Sequence, residues 1–297
     1  MTCRILLTGG NGFIGKNIRE LVSEEYSVIS PKSSELNLLN KNAVTDYLCK
    51  NTFDYIFHCA GVGVSRGDKV NSVLNDNLKM FQNLFNEGLK TDTKLVLFGS
   101  GAEYNKGKPL EKVKETEYNL SVPKDPYGYA KYLISKEIND YDNVVVLRLF
   151  GVYGKYEDYV YRFISNAIIR NLLKLPITIN RNLVFDYLYV NDLVQLLEKM
   201  VNRFPRYKYI NVTPDESIDL VSIAYIVNEM SDYSSEIRVI NPGLGKSYTG
   251  DNGRLREEFP DFEFTPIHDG VKELYDYYNR NLELFDSGKL LLDPRVR

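Results

Sequence analysis

Through the first half of the chain, short continuous apolar runs alternate with longer stretches whose apolar residues recur every three or four positions. "RILLTG" (4–9) reads as a strand, and "FIGKNIRELVSEE" (13–25) places Phe13, Ile14, Ile18, Leu21 and Val22 on one helical face. "SVIS" (27–30), "FDYIFHCAG" (53–61), "KLVLFGS" (94–100) and "NVVVLRLFG" (143–151) are further strand candidates. Helical spacing spans 41–51, 70–90 and 127–140 between them. Strands buried on both faces read as unbroken apolar runs, with helices in the crossovers. The pattern therefore predicts an α/β fold, a doubly wound parallel sheet. After residue 151 the rhythm loosens: 159–174, 220–230 and 270–285 read as helices, with short extended pieces at 175–179 and 236–240. We expect a sheet domain over 1–151, rejoined by 183–204, and a smaller C-terminal α/β lobe over 152–297.

Composition narrows the class. The 297 residues are 43% hydrophobic, enough for a sizeable core, and the net charge of -3 favours neither nucleic acid nor an anionic membrane as partner. No apolar run reaches the ~20 residues of a membrane span, and "MTCRILLTGG" leads directly into a strand, without the layout of a signal peptide. Three cysteines (3, 49 and 59) without metal spacing and two histidines (58 and 268) argue against zinc or a disulfide framework. The expected setting is a reducing cytoplasm.

Chemistry enters at "TGGNGFIG" (8–15). Gly10, Gly12 and Gly15 satisfy G-x-G-x-x-G, and Gly9, Gly12 and Gly15 give a second glycine spacing, both between a strand and a helix. Such a loop lets backbone N–H groups and the helix dipole meet a pyrophosphate. This context predicts dinucleotide binding. An NAD-preferring site ends its second strand with a carboxylate for the ribose. Here "SVISPKSSELN" offers Ser30, Lys32, Ser33 and Ser34 instead. Lysine and hydroxyls suit a 2′-phosphate, so the reading is NADP over NAD; the alternative is a solvated surface lysine.

Tyr127 and Lys131, in "DPYGYAKYLISKE" (125–137), stand four apart on one face of an expected helix. In a chain with 23 tyrosines that spacing alone is either catalytic or decorative. Together, "TGGNGFIG", "FGSGAEY" (98–104), "YGYAK" (127–131), "LRLFGVYG" (147–154) and "FDYLYVNDLV" (185–194) resemble the extended short-chain dehydrogenases/reductases, in the branch acting on nucleotide sugars. "ELNLLN" (35–40) is similar to a segment under the adenine in GDP-fucose synthases, and 253–278 to the C-terminal signature. The likeness spans essentially the whole chain and implies a Rossmann fold.

The resemblance implies that Tyr127 is the general acid/base. Lys131 then binds the nicotinamide ribose and lowers the phenol's pKa from its ordinary ~10. Ser100, four residues before Tyr104, hydrogen-bonds the reacting oxygen. Cofactor contacts are implied for Gly9, Gly12, Phe13, Ile14, Gly15, Lys32, Ser33, Leu38, Ala60 and Gly61, besides Tyr127 and Lys131. The substrate implied is a nucleotide sugar, and the helices at 70–90 and 127–140 imply a homodimer.

Departures from the family pattern narrow the reaction. Sugar 4,6-dehydratases carry Asp-Glu directly after their Ser/Thr, where this chain has Gly101 and Ala102. GDP-fucose synthases place an epimerising cysteine two residues after the serine, again Ala102 here. Glu103 stands one place too far along. The family's diphosphate-binding arginine is Phe185, with Arg181 or Arg254 as candidate substitutes, and its usual asparagine is Gly151. What remains is NADP-dependent reduction of a 4-keto deoxysugar; a 4-epimerase retaining NAD is the alternative, and a non-catalytic dinucleotide-binding protein the third reading. His58 is expected to be a packed core residue, Asn77 either a cofactor-positioning or a buried structural group, and the tyrosines at 153, 156, 159 and 161 carry no assigned role.

Overall fold

The computed structural model describes residues 2–63, 70–88 and 92–291. The first half forms β1 (Arg4–Thr8), α1 (Phe13–Leu21), β2 (Ser27–Ile29), α2 (Lys41–Lys50), β3 (Tyr55–His58), α3 (Val70–Gly88), β4 (Lys94–Ser100), β5 (Leu110–Val113), α4 (Pro126–Glu137) and β6 (Val144–Leu149). Then follow β7 (Gly151–Tyr153), α5 (Phe163–Leu172), β8 (Ile177–Asn182), β9 (Val184–Phe185), β10 (Tyr187–Tyr189) and α6 (Val190–Asn202). The chain continues through β11 (Tyr209–Val212), β12 (Ile218–Asp219), α7 (Leu220–Glu229), β13 (Ile237–Leu244) and β14 (Tyr248–Gly250). It closes with α8 (Gly253–Glu258), α9 (Ile267–Arg280) and α10 (Ser287–Leu291).

Six parallel strands in the order β2-β1-β3-β4-β6-β11 make the central sheet, five of them at the predicted apolar runs. Alternate residues of each strand feed different cores, which is the two-residue period of a strand. Ile5, Leu7, Phe57, Val96 and Leu147 pack with Ile18 of α1 and Leu193, Leu197 and Met200 of α6. Leu6, Ile56, Leu97 and Val146 face the other way, toward Val44, Phe81, Phe85, Ile134 and Ile138. Both faces are thereby covered, as a parallel sheet requires. The sixth strand, β11, comes from the second half and lies outside the elements expected from the sequence. Its run is four residues long and interrupted by Asn211, a fully buried side chain bound to the Val113 and Asp251 carbonyls and to the Tyr104 hydroxyl.

A third cluster, around Ile168, Ile177, Ile223, Val271 and Tyr278, unites α5, α7, α9 and β8. Two helix starts and stops differ from the periodicity. α1 ends at Leu21, where a turn closes from Tyr26 N–H to the Ser23 carbonyl. α5 begins at Phe163 because residues 157–161 form a turn, fixed by Asn166 donating to the Tyr159 and Val160 carbonyls. Among the described residues, no helix is long and apolar enough to cross a membrane and no acidic, His or Cys cluster could hold a metal.

Candidate active site

The chain leaves β1 for β2 on one side and then crosses to β3 on the other, so the sheet's switch point lies between β1 and β3. Crevices outside the carboxyl ends of strands at such points are where dinucleotides bind. Gly9 ends β1 at φ +72°, and a Cβ there would lie 2.6 Å from the Ala60 nitrogen. A Cβ on Gly15 would lie 2.3 Å from the Gly9 carbonyl oxygen, and one on Gly10 would strike the Ser30 hydroxyl of the β2 end. The Gly12 N–H donates to Gly9 O at 2.9 Å, closing the turn, and Gly12 caps α1 without any side-chain acceptor. The N–H groups of Phe13, Ile14 and Gly15 thus open the helix with no side chain competing for them, which fits a pyrophosphate.

Other sequence-predicted positions surround this loop. Lys32 and Ser33 are exposed in the turn after β2, where the Glu35 carboxylate accepts the Lys32 backbone N–H at 2.7 Å. Leu38 is buried in the core on the α2 side. Ala60 donates its N–H to the Thr8 hydroxyl at 3.3 Å, and that hydroxyl also pairs with His58 Nδ1 at 2.8 Å. Burial first, and then the charge of Lys131, depress the His58 pKa to about 3, so the ring stays neutral and acts as a packed structural group. Asn77 clamps the loop after β3: its amide accepts from Val62 N–H (3.0 Å) and donates to the Val62 and Val73 carbonyls (2.8 and 2.6 Å). Gly61 packs against that same amide.

Ser100 ends β4 and caps the single turn Gly101–Tyr104, accepting the Ala102 N–H at 3.1 Å. Glu103 points inward, away from the cleft. It is wholly buried, accepting the Ser100 N–H (2.9 Å), the Ser135 hydroxyl (2.6 Å) and Arg148 Nε (2.8 Å). Arg148 is itself caged by the rings of Tyr104, Tyr118 and Tyr209 at 4.6–4.9 Å. α4 starts with Asp125 accepting the Gly128 N–H and Pro126 in its first turn, a strong helix opening. A Cβ on Gly128 would lie 2.7 Å from the Ala102 carbonyl, so only glycine lets α4 lie directly on the turn after Ser100. That contact brings Tyr127 to the end of β4. Lys131 is buried, its Nζ donating to the Phe98 carbonyl at 2.6 Å and lying 5.9 Å from the centre of the Tyr127 ring. Its charge acts on His58 and Cys59 at and after the end of the neighbouring strand β3.

Lys131 thus lies between the Tyr127 ring and β4, the strand that ends in Ser100. Such a set can give or take one proton and hold a developing oxyanion.

A model of the NAD dependent epimerase/dehydratase family matches residues 5–213, from the first strand to the end of the sixth. The chain belongs to that family. It is accordingly an NAD(P)-dependent enzyme of the extended short-chain dehydrogenase/reductase type. GDP-L-colitose synthase of Yersinia pseudotuberculosis is 27% identical over 68% of this chain and 73% of its own. GDP-6-deoxy-D-talose 4-dehydrogenase of Aggregatibacter actinomycetemcomitans is 24% identical over 95% and 99%. A GDP-L-fucose synthetase from Naegleria fowleri bound to NADP shares the fold at TM-score 0.80, with 17% identity over 95% and 94% of the two chains.

The second half of the chain packs aromatic rings around β9, β10 and β14. Phe185 lies against Tyr187 and Tyr248, with ring centroids 5.5 and 5.7 Å apart. Gly151 is required by the pairing of β7 with β10, since a Cβ there would lie 2.8 Å from the Asp186 carbonyl. Arg254 is engaged elsewhere, donating to the Tyr209 carbonyl and stacking on Tyr207. Arg181 is exposed on β8. Of the four tyrosines without a role, Tyr153 is core, Tyr156 reaches Glu20 of α1, Tyr159 bonds near Asp286, and Tyr161 is exposed. The residue that sequence reasoning missed is Tyr248, whose ring enters the site from β14.

Proposed function

We propose that this protein reduces the 4-keto group of a nucleotide-linked deoxysugar with NADP(H). The observation that carries the reading is the composition of the turn after Ser100. Gly101 and Ala102 bring no acid–base group, and Glu103 is committed to Arg148, Ser135 and the Ser100 backbone. Beside Tyr127 and Ser100, this turn adds no base to abstract a second proton, which suits simple reduction. The names of the two similar curated proteins, both of which work on GDP-linked sugars, support the substrate class. NADP is favoured over NAD by Lys32 and Ser33 in the turn that follows the β2 end touching the glycine loop. A division into a dinucleotide-binding part (1–151, with 183–204) and a smaller substrate lobe belongs to this reading. So does a homodimer through α3 and α4, whose outer faces border a groove of about 700 Å³ lined by Leu74, Val122, Pro123 and Tyr129.

In this reading the bound nicotinamide supplies the hydride. Tyr127 gives its phenolic proton to the carbonyl oxygen, Ser100 orients that oxygen, and Lys131 stabilises the phenolate left on Tyr127. Donors aimed at a developing oxyanion are worth ~3–4 kcal/mol each. Tyr127→Phe is therefore expected to lower kcat at least ~100-fold and leave NADPH affinity nearly unchanged. A near-normal rate in that variant rejects the mechanism.

A further inference from the structure

We propose that Glu103 is a positioning residue of this site, its carboxylate fixing the spacing between Ser100 on β4 and the helix α4 that carries Tyr127 and Lys131. The inference rests on the reading in which Ser100 and Tyr127 both face the reacting oxygen. Ser100 to Glu103 form a capping box. The Ser100 hydroxyl accepts the Ala102 N–H at 3.1 Å, and Glu103 reaches back to accept the Ser100 N–H at 2.9 Å. Backbone and side chain of the serine are thus both held within one turn. Glycine at 99 makes room for this, since a Cβ there would fall 2.5 Å from Glu103 Oε1 and as close to Val146.

The carboxylate divides its bonds between two partners of different kinds. Oε2 takes Arg148 Nε at 2.8 Å and the Ser135 hydroxyl at 2.6 Å, while Oε1 takes the Ser100 N–H. An arginine and a carboxylate that serve only to neutralise one another frequently pair two bonds side by side. Here the second oxygen is turned away from the guanidinium. Arg148 Nη1 donates to the Tyr104 hydroxyl instead, and Nη2 has no hydrogen-bond partner. The arrangement forgoes a bidentate ion pair and keeps a bond to the serine backbone and one to α4.

Ser135 completes the link. Tyr127, Lys131 and Ser135 follow at four-residue intervals along one side of α4. Lys131 donates to the Phe98 carbonyl of β4, and the wholly buried Ser135 donates to Glu103 in the turn after that strand. One planar group therefore joins the serine backbone to the stripe of α4 that bears the phenol. A displacement of ~1 Å between reacting groups can cost as much as ~100-fold in rate. Such a joint acts on turnover without touching substrate.

The test uses Glu103→Leu with Arg148→Met, which removes the joint and leaves no unpaired charge buried. With NADPH and 4-keto-6-deoxy sugar nucleotides, kcat should fall at least ~10-fold, with KM and NADPH affinity unchanged. In a Ser100→Ala background the same pair should cost almost nothing further, because a spacing has no effect once one of its ends is gone. Unchanged kcat, or the same loss in both backgrounds, overturns the proposal. Should the double variant fail to fold, Ser135→Ala takes its place, since it leaves the buried ion pair whole. Its kcat should fall about fivefold, again only where Ser100 is present, and full kcat overturns the proposal. A further readout needs no substrate. With tyrosine labelled with ¹³C at Cζ, the resonance that disappears in Tyr127→Phe should shift in Ser135→Ala, about two helical turns away. If that resonance stays put, α4 does not depend on the carboxylate and the proposal is wrong even where turnover is seen. If no ketosugar is turned over, the functional reading fails, and the resonance alone decides for or against the joint.

Discussion

Removal of the Glu103 carboxylate should destabilise the fold more than any other single change behind the site. Glu103 and Arg148 are both fully buried, 2.8 Å apart, where the turn after β4, the strand ending in Ser100, meets the neighbouring strand β6. The carboxylate accepts three hydrogen bonds, and Arg148 Nη2 has no hydrogen-bond partner of its own, sitting instead among aromatic rings. Glu103→Ala leaves a buried cation with only the Tyr104 hydroxyl and those ring faces, a situation that costs about 3–5 kcal/mol. Cation–π attraction, ~0.5–2 kcal/mol, already acts in the native protein and offsets none of this loss. In a chain of this size the loss corresponds to a melting temperature lower by ~10 °C. Replacing both partners, as in Glu103→Leu with Arg148→Met, should recover most of it, because no charge is then left in the interior. Thermal melts and urea titrations of the two single variants and the double measure this directly. A Glu103→Ala protein within ~1 kcal/mol of wild type would refute the reasoning, as would a double variant no better than the worse single.

Two other outcomes follow from the geometry. Gly15→Ala puts a methyl 2.3 Å from the Gly9 carbonyl and 2.6 Å from the Gly10 Cα, both backbone atoms. The loop must open, so NADPH affinity measured by fluorescence titration should fall at least ~10-fold while the circular dichroism spectrum is retained; unchanged affinity would contradict the assigned cradle. Glu157 is buried against the Ser165 hydroxyl, and burial lifts its pKa to about 8 from an ordinary value of 4.5. Between those values the native protein holds a proton that the unfolded chain has released, so stability declines as pH rises through this window and levels off above it. Glu157→Gln should abolish that decline and, above about pH 8, exceed wild type by about 5 kcal/mol; parallel melting curves for the two proteins would contradict it.

The sheet was legible in the sequence because strands buried on both faces are mostly unbroken apolar runs, as in "ILL", "YIF" and "LVLF". The glycine loop was legible for a related reason: backbone-to-backbone approach at Gly9 and Gly15 leaves no room for a side chain, and chemistry of that kind writes itself into residue type. Tyr127 and Lys131 were placed by helical spacing plus resemblance; why Gly128 stands between them became clear only from its approach to the Ala102 carbonyl. β11 escaped because its inward Asn211 breaks the apolar run and is satisfied by partners 40 to 107 residues away. Tyr248 escaped for a similar reason. Its hydroxyl reaches the turn at Gly101 through the pairing of a three-residue strand with a two-residue strand, β14 with β9, and strands that short carry no period to read.

The central claim is that the site reduces a ketosugar with a nicotinamide taken up from solution, and one experiment addresses it most directly. The purified protein is denatured to identify any nicotinamide released, and the native protein is then mixed with NADPH or NADH and a panel of 4-keto-6-deoxy sugar nucleotides while nicotinamide absorbance is followed. The account predicts no retained cofactor, with absorbance lost on addition of a ketosugar and lost faster with NADPH than with NADH. Tightly held NAD, with 4-hydroxy sugar nucleotides epimerised in the absence of added cofactor, would contradict it.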